Sequence, residues 1–320
     1  MISGLDCHAS ALVYAGWAPR TRTGYNSALR RFFSFISTYG LQPLPLSESL
    51  ILRYVAHLHL EQLAPATIKN YLAALRAWVI SIGMDEPNLW TPRVTLACKA
   101  VYRSHLPPRQ ASPITYHLLS AMFNHLSSSH DHLLVAAAIS LQYFACLRAS
   151  ELCTNSALSF VPSRSDISFS RSGSSLIMLY RCHSSKTAPH GFEVHVGCSG
   201  APICAPCIMF HFLSLYPLEP ASPLFRFTSG FDLSYRLYNA IIKRLVQLVG
   251  LDPSSFSSHS VRAGAATQAA RAGLDPDSIK RLGRWRSQAY MAYLRPPPEA
   301  YAAFAPVLTA HPPPSHLTYH

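Results

Sequence analysis

At 320 residues the chain is long enough for two domains with full cores, on a usual size of about 150 residues each. Apolar residues make up 49% and charged residues only 13%, which excludes a disordered chain. The formal net charge of +12, carried by 22 Arg and 5 Lys against 15 acidic residues, points to a polyanionic partner, most commonly nucleic acid.

An anionic membrane is a weaker match for that charge, because no run of eighteen uncharged apolar residues and no basic amphipathic tail is present. The N-terminal MISGLDCHASALVY lacks the charged start and apolar core of a signal peptide, so an intracellular protein is expected. Eight cysteines, five of them between Cys146 and Cys204, form no regular extracellular pattern and are expected as reduced thiols.

In chain order, residues 1 to about 103 read as helices. Ala18-Pro19 starts one in which Tyr25, Leu29, Phe32, Phe33 and Ile36 recur at the helical period up to Gly40. A second runs from Ser47 through Leu50, Ile51, Tyr54, Val55 and Leu58. A third opens at Pro65 and carries Ile68, Tyr71, Leu72, Leu75, Trp78 and Val79 to Gly83. Arg20, Arg22, Arg30, Arg31, Lys69 and Arg76 fall largely off the apolar stripes, where they can follow a phosphate backbone or simply face solvent.

The segment from Ser104 to Pro113 carries three prolines and reads as a linker. Beyond it a helix is expected around Leu118 to Leu126. Next comes a buried central helix over Asp131 to Leu147, apolar nearly all round and ending at Arg148, with Ala149 to Leu152 starting the next helix. From Asp166 the period changes to two, predicting three antiparallel strands: ISFS, SLIMLY and Phe192 to Val196, with Lys186 in the second connection. The helical pattern returns after Cys207, and the proline-rich end is expected to fray or pack elsewhere. The expected organisation is a helical domain over 1–105, an α+β domain over 113–310 and a tail over 311–320.

Chemistry concentrates late in the chain. His259 and Arg262 are three apart and share a helix face. A converging histidine and arginine bind a phosphate, and a tyrosine that joins them can attack it. Tyr290 and Tyr293 likewise share a face. Upstream, Arg148 ends a buried helix where an uncompensated charge is costly. Glu151 is its structural partner on one reading. On the other, Arg148 and Arg262 clamp one phosphate. Lys186, the only lysine between Lys99 and Lys243, is placed to protonate a leaving alkoxide or to sit solvated in its loop. The acidic residues are too scattered for a two-metal nuclease. Cys198, Cys204 and Cys207 with His195 have irregular ligand spacing and are expected as structural thiols, so no metal and no cofactor are expected.

These residues carry a resemblance to the tyrosine recombinases, or phage integrase family. The family's Arg-x-x-Glu is matched by Arg148-Ala-Ser-Glu151, its hairpin lysine by Lys186 and its His-x-x-Arg by His259-Ser-Val-Arg262. Its Leu-Gly-His/Trp box is matched by Leu282-Gly283-Arg284-Trp285 and its nucleophile by Tyr293. The third-box position falls on Arg284 by spacing or on Trp285 by residue type. The resemblance covers about residues 10 to 305, with the N-terminal bundle similar to the family's SAM-like core-binding domain. GRWRS and AYLR look most like the recombinases of eukaryotic mobile elements, the tyrosine-recombinase retroelements and cryptons.

The resemblance implies a mainly α chain with an α+β catalytic domain that cuts and rejoins double-stranded DNA through a 3′-phosphotyrosyl link, without metal or ATP. It further implies Arg148, Lys186, His259, Arg262, Trp285 and Tyr293 as catalytic residues and a homo-tetramer on paired sites. A eukaryotic source implies the nucleus. Arg20, Arg22, Arg31, Lys69 and Arg76 are expected on the DNA. A domesticated DNA-binding protein that has lost strand transfer and a type IB topoisomerase share the fold and remain alternatives. The apolar Tyr301, Phe304, Val307 and Leu308, beyond Pro296-Pro297-Pro298, are expected to dock on a neighbouring subunit.

Overall fold

The computed structural model describes residues 2–85, 87–106, 110–154, 161–185 and 188–294. The chain divides into two compact units, Met1–Pro108 and Arg109–His320. As expected, it is mainly helical with one small antiparallel sheet.

The first unit holds α1 (Ile2–Ala15), α2 (Pro19–Tyr39), α3 (Glu48–Leu60), α4 (Pro65–Ser81) and α5 (Pro92–Ser104). Their starts follow from sequence chemistry. Proline sits in the first turn of α2 and α4, where its missing N–H has no helical partner in any case. The hydroxyls of Ser47 and Thr91 accept from the backbone N–H of Leu50 and Val94 at the heads of α3 and α5. Gly40 closes α2 in the left-handed region at φ 60°. The apolar stripes meet in a core of Phe32, Phe35, Ile51, Tyr54, Leu58, Ile68, Leu72, Leu75 and Val94, all buried. Three of these helices follow the expected periodicity. α1 and α5 were not foreseen one by one, because their apolar stripes are thin and α1 leaves Leu5, Leu12 and Val13 exposed.

The second unit is built around α7 (His130–Phe144), in which every residue from Leu134 to Tyr143 is buried. α6 (Tyr116–Phe123) precedes it. α8 (Ala205–Leu215) and α10 (Ser258–Arg271) pack against it, and α9 (Tyr235–Leu248) reaches it through a buried hydrogen bond. The sheet has the order β1 (Ile167–Ser172), β2 (Ser175–Cys182), β3 (Phe192–Gly197), antiparallel throughout, with Ile167 facing Tyr180 and Cys182 facing Phe192. α11 (Pro276–Gly283) is capped by the Asp275 carboxylate, which accepts from the N–H of Asp277 and Ser278. A 3₁₀ segment over Gln288–Tyr293 follows it.

Two expectations are corrected. Ala149 to Leu152 does not open a helix: Ala149–Glu151 is a single 3₁₀ turn, closed when the Glu151 side chain accepts from the Arg148 backbone N–H. The tyrosine-bearing segment is likewise 3₁₀ and not α.

Gly264 decides how α10 seats. A Cβ there would lie 1.7 Å from the Ile114 carbonyl oxygen, while the Ile114 N–H bonds the Ser260 carbonyl at 2.8 Å. The segment entering the second unit therefore lies directly on the backbone of α10. In an open helix Gly→Ala gains about 1 kcal/mol. Here overpacking reverses the sign, and Gly264→Ala is expected to lower stability by about 2–3 kcal/mol. Thermal unfolding checks this: a raised melting temperature would mean that the two segments do not touch.

Candidate active site

The site begins where α7 ends. The chain leaves α7 through Ala145 and enters the left-handed region at Cys146, φ 47°, a conformation a side chain adopts only under tertiary constraint. This reversal puts Arg148 at the head of the 3₁₀ turn. Gln142, the one amide in an otherwise apolar stretch, holds the reversal in place. Its Nε2 donates to the Leu147 carbonyl at 3.2 Å and to the Ser258 carbonyl of α10 at 3.0 Å, while its Oε1 accepts from Tyr238 on α9 at 2.6 Å. The Arg148 turn and the start of α10 are thus tied through one side chain.

The Glu151 carboxylate, 1% exposed, is the centre of the cluster. Arg148 Nη1 donates to its Oε1 at 2.8 Å, Arg284 Nη2 lies 3.4 Å from Oε2, and Arg262 Nη1 lies 3.9 Å from Oε2. The two readings of Arg148 are therefore not exclusive, because Glu151 pairs with it and also gathers the second arginine. Tyr180 of β2 donates its hydroxyl to the Glu151 carbonyl, which joins the sheet to the site.

Arg262 is completely buried. Its Nη2 donates to the Gly283 carbonyl, and its guanidinium stacks 4.5 Å from the Trp285 ring and 5.9 Å from that of Tyr293. Burial, and the neighbouring Arg148 and Arg284 charges, pull its pKa below the usual arginine value, with the Cys146 thiol and Glu151 opposing. Its Nε and Nη1, and Nε of Arg284, are buried without a hydrogen-bond partner. An unmet buried donor costs roughly 1–3 kcal/mol. Three guanidiniums around one carboxylate leave net positive charge and unmet donors, the chemistry that an anion satisfies.

The third-box question resolves geometrically into two jobs. Arg284 adopts the left-handed region at φ 56°, caps α11, and reaches the Ala145 and Cys146 carbonyls at 3.1 and 3.2 Å as well as Glu151, with its guanidinium 4.3 Å from the Phe192 ring. Trp285 folds back over Gly283, where a Cβ would come within 1.8 Å of its ring, and covers Arg262. Glycine at 283 is required because the indole lies where any side chain would be.

Tyr290 and Tyr293 are three apart in a 3₁₀ segment, where such residues eclipse on one side. Tyr290 is buried, packed on Trp285 at 6.2 Å, while Tyr293 is half-buried with its ring 5.4 Å from Trp285. Thr267 Oγ1 of α10 donates to the Tyr293 carbonyl at 3.0 Å, which anchors the segment beside Arg262. His259, on the first turn of α10, is exposed, unlike Arg262, and its N–H is capped by the Ser257 hydroxyl at 3.3 Å. Lys186 lies outside the described residues, as do Arg295 and the tail beyond it.

In the first unit Arg20, Lys69 and Arg76 are exposed, and Arg22 lies over the Tyr14 ring at 5.1 Å. Arg31 is not a simple solvent-facing cation: Nε and Nη2 both donate to Glu61 Oε2, at 3.1 and 2.6 Å. Lys69 lines a cleft with Lys99, Arg103, Trp90 and Tyr102, a basic and aromatic group in which only Lys69 was singled out from the sequence.

The sequence reading gave Glu151 only as a structural partner, and it did not single out Gln142. The signal for Gln142 was there, as one amide in a helix otherwise apolar nearly all round. Glu151 gave none beyond its place in the Arg-x-x-Glu pattern.

The chain is similar to known proteins in sequence and in fold. The family model for the phage integrase N-terminal SAM-like domain matches residues 12–79. The chain is 26% identical over 287 residues to an integrase/recombinase xerD homolog of Selenomonas ruminantium, covering 85% of this chain and 80% of the relative. Among solved structures, the fold is similar to the XerH site-specific recombinase bound to palindromic difH substrate in a post-cleavage complex. That similarity has TM-score 0.63 and 16% identity, covering 90% of this chain and 79% of that one. It is also similar to a lambda integrase dimer bound to a COC′ core site, with TM-score 0.61, 17% identity and 92% and 95% coverage. A third similarity is to the Tn1549 transposon integrase in complex with transposon right end DNA, with TM-score 0.60, 15% identity and 94% and 99% coverage. The class these relatives define is the tyrosine site-specific recombinases and integrases. The domain model thus matches within the first unit, the curated relative is similar along most of the chain, and the solved structures share its fold.

Removing one partner of a buried ion pair costs about 3–5 kcal/mol. Glu151→Gln, which keeps the shape and removes the charge that gathers three arginines, is expected to lower the unfolding free energy by an amount of that order. Chemical denaturation measures it; an unchanged midpoint would mean that the carboxylate does not hold the cluster.

Proposed function

We propose that this chain is a site-specific DNA recombinase that cuts and rejoins double-stranded DNA through a 3′-phosphotyrosyl link to Tyr293. One observation carries the reading: three guanidiniums, one buried and two half-buried, around a single buried carboxylate, with unmet N–H donors, directly beside a half-buried tyrosine. A scissile phosphate supplies the negative charge that this cluster lacks. Arg148 and Arg262 take its non-bridging oxygens, and their charge is worth most as the pentacoordinate state gathers negative charge in a water-poor site.

In the reaction, the Tyr293 oxygen bonds phosphorus as the phenol gives up its proton, and the bond from phosphorus to the 5′ oxygen breaks. Lys186 supplies the proton that the departing oxygen takes. His259 adds a donor at the phosphate, and Trp285 holds Arg262 in place. The phosphotyrosyl link conserves the energy of the broken bond, so religation needs no ATP. The role of Lys186 and a metal-free reaction follow from the resemblance of the motifs.

The partner is double-stranded DNA, in keeping with the +12 charge and with relatives solved on DNA. The basic and aromatic cleft of Lys69, Lys99, Arg103, Trp90 and Tyr102 gives the first unit a surface for the backbone. The working form in this proposal is a homo-tetramer on paired sites, and the motif resemblance assigns it to a eukaryotic mobile element acting in the nucleus. No helix among the described residues is long and apolar enough to cross a membrane.

The nucleophile assignment is tested with labelled suicide DNA followed by denaturation. Tyr293→Phe is expected to abolish the covalent adduct, and Tyr290→Phe to keep it at a reduced level, since its ring packs under Trp285. The reverse pattern would move the nucleophile to Tyr290, and adducts in both variants would end the recombinase reading.

Backbone contact is tested by salt. Each neutralised phosphate contributes about −0.9 to the slope of log affinity against log salt. The double variant Lys69→Ala with Lys99→Ala is expected to make that slope shallower by about 2. An identical slope would take the cleft off the DNA.

A further inference from the structure

Away from the arginine cluster, three cysteines converge at the junction of β3 and α8. Cys198 directly follows β3, and its N–H bonds the Leu176 carbonyl of β2 at 2.8 Å. Cys204 is the N-cap of α8, and Cys207 lies in its first turn. Cys198 Sγ is 3.3 Å from Cys207 Sγ and 3.4 Å from Cys204 Sγ, and all three sulfurs lie within 4.8 Å of one another. A disulfide would join two of them and strand the third. A tetrahedral ion with metal–sulfur distances of about 2.3 Å sets its sulfurs about 3.8 Å apart, so the Cys198 sulfur needs to move only a few tenths of an ångström from each of the other two.

The backbone N–H groups of Cys207 and Ser199 bond the Cys204 sulfur. Backbone N–H groups aimed at a cysteine sulfur are the kind of outer-shell support that metal thiolates use. His211, exposed and four residues after Cys207 on the same helix face, lies outside the group the three sulfurs form and is the candidate fourth donor. Cysteine and histidine one turn apart on a helix form half of a sulfur–nitrogen tetrahedral set.

We propose that Cys198, Cys204, Cys207 and His211 bind one structural zinc-class ion. The irregular C-x5-C-x2-C spacing, which argued against a metal on the sequence, arises because Cys198 enters from the end of a strand while the C-x2-C pair wraps the first turn of a helix. The ion takes no part in strand transfer. It fastens β3, and through it the β2–β3 hairpin whose connection carries Lys186, to α8 and so to the buried α7. Such a staple suits a small three-stranded sheet, which has little core of its own.

The test uses the full chain, purified without chelator and kept reduced, and then reloaded with zinc or cobalt(II). Expected are one metal per chain by elemental analysis, and a cobalt spectrum with thiolate charge-transfer bands and the intense ligand-field bands of a tetrahedral site. Cys207→Ser, at an exposed position, is expected to retain its circular dichroism and lose metal affinity by about a hundredfold or more. His211→Ala is expected to keep the charge-transfer bands, shift the ligand-field bands and bind about tenfold more weakly. Thiol titration of wild-type protein is expected to show three cysteines that react only after chelation, while Cys98→Ser leaves all of this unchanged. Background metal content after anaerobic reloading, a disulfide between any two of the three in reduced protein, or full metal retention by Cys207→Ser would overturn the site. An unshifted cobalt spectrum in His211→Ala would overturn the His211 assignment. DNA cleavage is not the readout, so failure here is separable from failure of the recombinase reading.

Discussion

One buried carboxylate organises the second unit. Glu151 closes its own 3₁₀ turn by accepting from the Arg148 N–H, pairs with the Arg148 side chain, and draws in Arg262 from α10 and Arg284 from the end of α11. Three segments far apart in the chain are fixed relative to one another because one buried and two half-buried like charges gather around a shared counter-charge. Glu151 alone does not balance them. The remaining positive charge, with guanidinium nitrogens that have no hydrogen-bond partner, is the property on which the proposed phosphate binding rests.

The backbone serves that arrangement at some local expense. Cys146 and Arg284, two of the three described non-glycine residues with positive φ, stand at the turns that deliver Arg148 and the third box. Left-handed conformations cost roughly 1–2 kcal/mol per residue and persist where the surroundings over-determine them. Here the surroundings are explicit. Gln142 holds the first turn by its hydrogen bonds to Leu147 and Ser258. The second is held by Arg284 bonding the carbonyls of Ala145 and Cys146. The two strained turns therefore brace each other.

Aromatic packing does the rest of the positioning. Trp285 lies over Arg262, with Tyr290 beneath it and Tyr293 beside it, so one indole sets both a guanidinium and a tyrosine. A desolvated cation–π contact is worth about 2 kcal/mol, comparable to a hydrogen bond to a charged group. This is how a fully buried arginine with two unmet nitrogens is tolerated before any anion arrives. It also explains the Leu-Gly pair before Arg284, since only glycine leaves room for the ring at 283.

What the sequence by itself determined was whatever depends on local periodicity and residue chemistry. The stripes of α2, α3 and α4, the all-apolar α7 and the alternation of β1 to β3 were legible because burial on one face imposes a period of 3.6 or 2. So was the Asp275 cap, which needs only its own neighbours. The motif residues Arg148, Arg262, Trp285 and Tyr293 could be named from their order, and Tyr290 could be given to the core. Tertiary structure alone decided what depends on atoms distant in the chain. Ala149–Glu151 stopped as a single turn because Glu151 bends back to Arg148 and outward to Arg262 and Arg284. Arg31 was paired with Glu61, thirty residues away, while staying at the surface. The choice between Arg284 and Trp285 dissolved, because a left-handed backbone sends the arginine to the carboxylate and the indole to the other arginine. The cysteine sulfurs met only because a strand end and a helix start meet, a convergence of through-space distances that no spacing along the chain encodes.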